Sequence, residues 1–327
     1  MTQVIDPGVD RINGPDVTHP PPAVSLSGLT KRYGDRVAVD RFTIEVPAGV
    51  VAGFVGPNGA GKTTTMAMLL GLVAPTEGNG SVLGEPLDDP ASFLGSVGAL
   101  IEGPAFYPGL TGAQNLAVLA TAAGHGPDQV RGLLELVGLG ERGDDRFRGY
   151  SFGMKQRLGI AGALLGDPRL LILDEPINGL DPAGVREMRG LIGRLASEER
   201  TVLVSSHVLS ELEQVCDWLI VIDGGRLVFQ GPAAEVLEGA GESLTVAPEH
   251  PGDLGRLRDV LATAGHDGEI GGERLKVTIN GGDARALAAA VNRAAGASGI
   301  VLAELSVSRT SLEDRYLSMV DDEGADR

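Results

Sequence analysis

The chain has 327 residues, of which 43% are hydrophobic and 22% charged, an ordinary composition for a soluble globular protein. Its net charge of -17 disfavours nucleic acid as the main partner, because an acidic surface repels the phosphate backbone. The sequence has no run approaching the roughly 18 to 20 apolar residues of a spanning helix and no N-terminal export signal, so we expect a cytoplasmic protein that reaches a membrane only through a partner.

The N-terminal part of the sequence predicts an arm followed by a β-layer. Residues 1–22 are rich in proline and glycine and lack apolar periodicity, which predicts a disordered arm. Short runs with β-branched and alternating residues follow at 24–29, 37–39 and 42–46, separated by Gly and Pro. This pattern predicts an antiparallel β-layer.

The middle of the chain alternates between apolar runs and helical segments. The run at 50–55 ends at Gly56 and precedes a helical stretch that continues through Leu70. Further apolar runs lie at 170–173, 202–205 and 219–222, each after a helical segment. The alternation predicts an α/β fold with a parallel sheet core covered by helices.

Residues 90–166 read as a helical insertion in this sheet domain. Helices are predicted at 114–123, 128–137 and 154–165, and the segment has no strong strand pattern of its own. The single cysteine, Cys216, has no partner for a disulfide and no ligand spacing for zinc, so we interpret it as a small core residue.

After Gly239 the pattern restarts as a second unit. The predicted strands lie at 243–247, 274–279 and 300–307, and the predicted helices at 252–264, 283–295 and 310–319. With a glycine-rich hairpin before the second of these strands, the order βαββαβ predicts a ferredoxin-like α+β domain over 241–320 and a tail at 321–327. The main domain then covers 23–240.

A glycine-rich loop follows the first predicted sheet strand and opens a helix. It consists of Gly56, Pro57, Asn58, Gly59, Ala60, Gly61, Lys62 and Thr63, with Thr64 next in the helix. Its spacing and its position between strand and helix fit the phosphate loop of nucleotide-binding proteins. Glycines let backbone N–H groups converge on phosphate oxygens, Lys62 reaches the β and γ phosphates, and the Thr63 hydroxyl can bind Mg²⁺.

Two carboxylates follow the apolar run at 170–173, where open α/β sheets place their ligands. We expect Asp174 to hold the metal and Glu175 to polarise the attacking water at the γ phosphate. For this run taken alone, the alternative is that the acids cap the next helix, through Asn178 and Asp181.

The octapeptide from Tyr150 to Arg157 resembles the signature motif of ABC-transporter ATP-binding subunits, and it lies shortly before Asp174 as it does in that family. The resemblance covers about residues 24–240. It implies that Ser151 and Gly153, with Met154, contact the γ phosphate of ATP held by an opposite subunit. Without the other motifs, the octapeptide would read as a helix N-cap.

Other positions match the family in the same order. Tyr33 matches the aromatic residue that stacks on adenine, the loop from Asn178 to Asp181 matches the one that meets the opposite phosphate site, and His207 matches the histidine that senses the γ phosphate. Each is weak alone, because a lone tyrosine usually serves packing and a lone histidine at a strand end is more often structural.

The sequence departs from the common family pattern at two places. Glu102 occupies the position where most members have glutamine, which would put a third carboxylate near the metal. Phe152 and Met154 replace the common glycine and glutamine of the signature. Together with the segment 107–111, these changes resemble the exporter branch that includes bacitracin, daunorubicin and lantibiotic self-protection systems.

The resemblance implies an ATPase that uses ATP and Mg²⁺, pairs with a second ATP-binding subunit and drives a separate transmembrane permease at the inner face of the cell membrane. We expect a homodimer, although the sequence leaves a heterodimer with a close relative open. The alternative is a non-transport ABC ATPase that acts on nucleic acid or a regulatory complex. The C-terminal domain could be a regulatory sensor, a dimerisation module or a stabilising appendage.

Overall fold

The structure is a computed structural model that describes residues 21–196, 200–208, 212–238, 242–279 and 283–309. Several predicted features lie outside the described residues: the arm up to residue 20, the domain boundary near residue 240, the last helix at 310–319 and the tail.

The described strands are β1 (Val24–Tyr33), β2 (Arg36–Val46), β3 (Val51–Val55), β4 (Glu77–Val82), β5 (Glu85–Pro86), β6 (Val97–Leu100), β7 (Leu170–Leu173), β8 (Thr201–Ser206), β9 (Trp218–Asp223), β10 (Arg226–Pro232), β11 (Glu242–Pro248), β12 (Gly268–Gly271), β13 (Arg274–Ile279) and β14 (Leu302–Arg309). The described α-helices are α1 (Lys62–Leu69), α2 (Pro90–Phe93), α3 (Gly112–Ala122), α4 (Gln129–Leu136), α5 (Phe152–Ala163), α6 (Pro182–Leu195), α7 (Ala233–Glu238), α8 (Leu254–Thr263) and α9 (Ala284–Ala297).

An antiparallel layer forms first along the chain, as the sequence predicts. Its strand order is β2-β1-β4-β5. The sequence analysis missed β4 and β5, because the glycine-rich segment Glu77–Val82 has no apolar alternation. Gly80 is nevertheless suited to this place, since a β-carbon there would lie 2.7 Å from Cδ2 of Leu26 on the neighbouring strand.

The central sheet has six strands in the order β10-β9-β3-β8-β7-β6. Five of them run parallel, and β10 pairs antiparallel with β9 at one edge. The predicted parallel strands are confirmed, and so is the α/β fold. Leu171 and Leu173 point into one core cluster and Leu170 and Ile172 into the other, so this sheet is buried on both faces.

The insertion at 90–166, predicted as mostly helical, also contains one strand that the sequence analysis missed. Its strand β6 joins the edge of the central sheet beside β7. The strand has four residues and contains Gly98, where a β-carbon would overlap the carbonyl oxygen of Ala163. A strand this short, with a glycine that permits close helix packing, leaves no apolar run to recognise.

Two helices of this insertion begin earlier than predicted because of their N-caps. Thr111 and Gln114 form a capping box, so α3 begins at Gly112 rather than at residue 114. Ser151 accepts a hydrogen bond from the backbone of Met154, so α5 begins at Phe152 rather than at residue 154.

Cys216 packs against the same core cluster as Leu171. Burial raises the pKa of its thiol to about 12, so the thiol stays protonated at neutral pH. This agrees with its interpretation as a small core residue.

The C-terminal part has an antiparallel sheet in the order β12-β13-β11-β14, with α8 and α9 contributing to one core. That core includes Leu244 and Val246 of β11, Leu257 of α8 and Val291 of α9. The element order is βαββαβ, an α+β arrangement as expected. The division into domains at residue 240 stays a prediction. In the part of the chain that the structure describes, no helix is both long and apolar enough to cross a membrane.

Candidate functional site

The phosphate-type loop connects β3 to α1. Gly61 is the N-cap of α1 with a φ of 112°, and Gly59 has a φ of 83°. A β-carbon at Gly61 would also lie 2.7 Å from the carbonyl oxygen of Ala38 in β2. Both backbone conformation and space therefore require glycine, and the loop ends at the positive end of a helix dipole.

Lys62 lies inside this loop rather than in solvent. Its side chain is 6% exposed, and its Nζ donates hydrogen bonds to the carbonyl oxygens of Gly56 at 2.6 Å and Pro57 at 3.3 Å. The same Nζ lies 3.3 Å from Oε1 of Glu175. A buried ammonium needs such partners. Phosphate oxygens bound in the loop could take the place of these partners while the Lys62 side chain stays in the loop.

Asp174 lies at the carboxyl end of β7, where two hydroxyl groups reach its carboxylate. Thr63 Oγ1 donates to Oδ2 at 2.9 Å, and Ser205 Oγ donates to Oδ1 at 2.6 Å. This contact pattern replaces the alternative in which Asp174 caps the next helix. A hydroxyl and a carboxylate beside a phosphate loop are ligands that suit Mg²⁺, which takes one or two carboxylates together with phosphate oxygens.

The sequence analysis missed Ser205. It lies in β8, which pairs in parallel with β7 in the register Leu173 with Val204. Its hydroxyl also accepts a hydrogen bond from the backbone N–H of Glu175 at 2.8 Å. The two serines that follow the apolar run 202–204 were the available signal, because carboxyl ends of parallel strands meet at one edge of a sheet.

Glu175 is held between two basic groups. Its Oε2 lies 2.8 Å from Nδ1 of His207, and its other carboxylate oxygen faces Lys62. Its backbone has a φ of 48°, the left-handed region that residues other than glycine seldom adopt. The structure thus brings together three of the residues that the sequence analysis assigned to catalysis.

The signature segment begins α5. Tyr150 is buried and donates a hydrogen bond to the carbonyl oxygen of Arg142 at 2.8 Å, and its burial raises the pKa of its hydroxyl. Ser151 is exposed and caps the helix, with its Oγ 3.3 Å from the backbone nitrogen of Met154. Among the described residues, no hydrogen bond or ion pair joins Ser151 or Gly153 to the phosphate loop of the same chain. Ser151 and Phe152, the first residues at this positive end of α5, are exposed.

The loop after Glu175 leads into α6 and contacts the signature segment. Asp181 caps α6, accepting a hydrogen bond from the backbone of Gly184 at 2.8 Å. Gly179 has a φ of 79°, and a β-carbon there would lie 3.3 Å from Cε1 of Phe152. The proposed contact of Asp181 with an opposite phosphate site remains a prediction.

Glu102 is exposed in the loop after β6 and has a φ of 58°. This loop begins beside the site, because the backbone N–H of Asp174 donates to the carbonyl oxygen of Leu100 at 2.8 Å. Among the described residues, no hydrogen bond or ion pair joins Glu102 to Asp174 or Thr63. Its role as a metal ligand remains a prediction.

Tyr33 lies at the end of the β1–β2 hairpin with its side chain 50% exposed. Nζ of Lys31 lies 5.1 Å from the ring centroid, and it also donates to the carbonyl oxygen of Ala74 at 2.7 Å. An aromatic ring that is half exposed can stack on a planar base, so the predicted adenine contact stays open to test.

Residues 39–178 match the family model described as ABC transporter. The chain is 46% identical over 212 residues to the bacitracin transport ATP-binding protein BcrA of Bacillus licheniformis, covering 64% of this chain and 69% of the relative. It is 40% identical over 207 residues to the lantibiotic transport ATP-binding protein SrtF of Streptococcus pyogenes, covering 63% and 90%.

Among solved structures, the chain resembles cbiO1 from Clostridium perfringens, described as part of the ABC transporter complex cbiONQ. The TM-score is 0.61 and the sequence identity 26%, and the match covers 67% of this chain and 91% of that one. The match to the family model covers the region that holds the phosphate loop, the two carboxylates and the signature segment.

Proposed function

The chain belongs to the ABC transporter family of ATP-binding proteins, whose domain hydrolyses ATP, and from this premise we propose that it powers the export of a drug, antibiotic or peptide through a separate transmembrane permease. The observation that supports export is the 46% identity to a bacitracin transport protein, with a lantibiotic transport protein as a second relative. The expected position is peripheral, at the inner face of the cell membrane.

ATP would bind with its phosphates in the loop between β3 and α1. Lys62 would exchange its hydrogen bonds to the carbonyl oxygens of Gly56 and Pro57 for bonds to the β and γ phosphates. Thr63 and Asp174 would hold Mg²⁺, with Ser205 fixing the carboxylate in place. The metal would neutralise charge on the β and γ phosphate oxygens.

Glu175 would orient the attacking water for hydrolysis. Its carboxylate has one oxygen toward Lys62 and the other toward His207, so both basic groups restrict its rotation. A carboxylate fixed within hydrogen-bond reach of the water is what general-base catalysis requires. His207 would act as a positioning residue that also senses the γ phosphate.

A second copy of the chain would complete the site. The exposed N-terminus of α5, with Ser151, Gly153 and Met154, offers a dipole and backbone N–H groups to a γ phosphate bound elsewhere. One missing donor of that kind costs about 3 kcal/mol of transition-state stabilisation, or roughly 10² to 10³ in rate. ATP binding would then close the dimer and hydrolysis would open it.

The permease would contact the surface beside β6. A groove of about 480 Å³ lies there, between the central sheet edge, α5 and the loop that follows Glu102. Leu119, His125 and Gly159 contribute to its lining. A motion of this loop on nucleotide binding would be passed directly to a partner docked in the groove.

Ser151→Asp tests the contribution of the second copy. Aspartate keeps the N-cap of α5 but places a negative charge against the partner's γ phosphate, so we expect turnover to fall about 10²-fold or more with ATP affinity little changed. Phosphate release and nucleotide titration measure the two effects. Thr111→Asp, at the N-cap of α3, is the matched control and should leave turnover unchanged. Normal turnover in Ser151→Asp would show that the N-terminus of α5 does not contact the γ phosphate during hydrolysis.

Glu102→Gln tests the departure from the common family pattern. Removing a negative charge from the metal's surroundings should lower Mg²⁺ affinity, so the Mg²⁺ concentration for half-maximal ATPase activity should rise about two- to fivefold at low salt. Glu135→Gln, an exposed carboxylate on α4, serves as control. An unchanged Mg²⁺ dependence would show that Glu102 is incidental to metal binding.

A further inference from the structure

Arg36 begins β2 and lies directly opposite Tyr33 in the pairing of β1 with β2. Residues opposite each other on antiparallel strands project from the same face of the sheet. Arg32, one step back along β1, pairs with Val37 and so projects from the opposite face. Arg36 and Tyr33 therefore share one side of the hairpin end.

This end of β2 lies against the phosphate loop. A β-carbon at Gly59 would be 4.0 Å from Nη2 of Arg36, and one at Gly61 would be 2.7 Å from the carbonyl oxygen of Ala38. Backbone hydrogen bonds through Gly225 hold the two segments together, since its N–H donates to Ala60 and its carbonyl oxygen accepts from Asp40. The position of Arg36 relative to the loop is thus fixed by the fold.

The guanidinium of Arg36 has no partner in the described part of the chain, whereas Arg226 and Lys31 are held by partners. Among the described residues, none forms a hydrogen bond or an ion pair with the Arg36 side chain. Arg226 pairs with Asp40 at 2.6 Å, and the Arg226 hydrogen bond lowers the pKa of that carboxyl. Lys31 donates to the Ala74 carbonyl. In a chain with a net charge of -17, an exposed unpaired cation beside a phosphate loop is available to an anion.

We propose that Arg36 binds the α and β phosphates of the nucleotide held by its own chain. The inference rests on the proposed stacking of adenine on Tyr33, which would place the ribose and first phosphate between that ring and the loop. Arg36 lies on the Tyr33 side of the hairpin and beside Gly59, along this path. A guanidinium can donate two parallel hydrogen bonds to non-bridging phosphate oxygens.

This position distinguishes Arg36 from Lys62 in its effect on different nucleotides. ATP and ADP both carry the α and β phosphates, so the contact strengthens both equally and does not discriminate between them. Lys62, by contrast, would reach the γ phosphate as well. Arg36 therefore strengthens the binding of ATP and ADP alike, whereas the proposed γ phosphate contacts distinguish ATP from ADP.

The test is calorimetric titration of the full chain with ATP and with ADP, without Mg²⁺ so that ATP is not hydrolysed. Arg36→Ala should weaken both nucleotides by about tenfold and by the same factor, as expected for one charge-assisted contact. Arg36→Lys should recover part of the affinity. The loss should shrink at high salt, because the side chain is exposed. Arg32→Ala removes an exposed cation from the other face and should leave both affinities unchanged.

Unchanged ATP and ADP affinities in Arg36→Ala would overturn the proposal. A loss of affinity for ATP alone would also overturn it, because it would place the guanidinium at the γ phosphate. An equal loss of affinity in Arg32→Ala would overturn it too, because the effect would then come from general surface charge. These outcomes are separate from the proposed function: that function fails if Lys62→Ala retains ATPase activity, whatever Arg36 does.

Discussion

Lys62→Ala should abolish measurable ATP turnover and weaken ATP binding by about 10² to 10³-fold. The ammonium is the buried cation of the loop, bonded to Gly56 and Pro57 and 3.3 Å from Glu175. Its removal takes away the charge that meets the phosphates and leaves the Glu175 carboxylate without one of its two basic partners. Calorimetric titration with ATP and a phosphate-release assay measure the two losses.

The control for this variant is Lys276→Ala, which removes an exposed lysine from β13 and should keep wild-type binding and turnover. Circular dichroism should show the same secondary structure in both variants, because Lys62 lies at the first position of α1, and alanine is favourable in a helix. Full ATPase activity in a folded Lys62→Ala protein would show that ATP hydrolysis does not depend on the phosphate loop.

Glu175→Gln should retain ATP binding but reduce turnover by about 10³-fold. Glutamine has nearly the same shape, yet its neutral amide cannot polarise the attacking water as a carboxylate does. Binding should persist because Lys62, Thr63 and Asp174 remain in place. Single-turnover hydrolysis measures the chemical step, and nucleotide retention after gel filtration measures binding.

Glu187→Gln is a matched control for that substitution. It removes an exposed carboxylate of α6 whose ion pair is with Arg157 rather than with Lys62 or His207, and turnover should remain normal. If Glu175→Gln hydrolysed ATP at the wild-type rate, the general base would have to be another group, and the contact between Glu175 and His207 would need a different explanation.

The sequence predicted where Lys62, Asp174 and Glu175 lie because their motifs are short and local. Gly56 to Thr63 lie on one loop, and Asp174 and Glu175 follow one buried strand, so spacing along the chain fixes their neighbourhood. The meeting of Glu175 with His207 and Lys62 depends on parallel strands ending at one sheet edge, a rule that pattern reasoning can apply.

Features that depend on tertiary pairing were harder to predict. Strand β6 has four residues and lies inside a mostly helical segment, and β4 is rich in glycine, so neither shows an apolar period. Ser205 reaches Asp174 only through the register of β8 against β7. The proposed role of Arg36 likewise rests on the packing of β2 against the phosphate loop, which no nearby residue in the sequence signals.

Two residues of the signature segment, Ser151 and Phe152, are exposed at the start of α5. Ser151 caps the helix and is exposed, and Phe152 is 51% exposed while lying close to the loop at Gly179. Both observations are consistent with an interface that forms around nucleotide. The proposed pairing of two copies can be tested directly by measuring the molecular mass of the protein in solution.

That measurement is light scattering of the Glu175→Gln protein after size-exclusion chromatography, with and without ATP and Mg²⁺. We predict the mass of two chains with ATP and of one chain without it, and a return to one chain when Ser151→Asp is added to the same variant. A nucleotide-loaded Glu175→Gln protein that keeps the mass of a single chain at high concentration would contradict the central claim that two copies enclose the nucleotide.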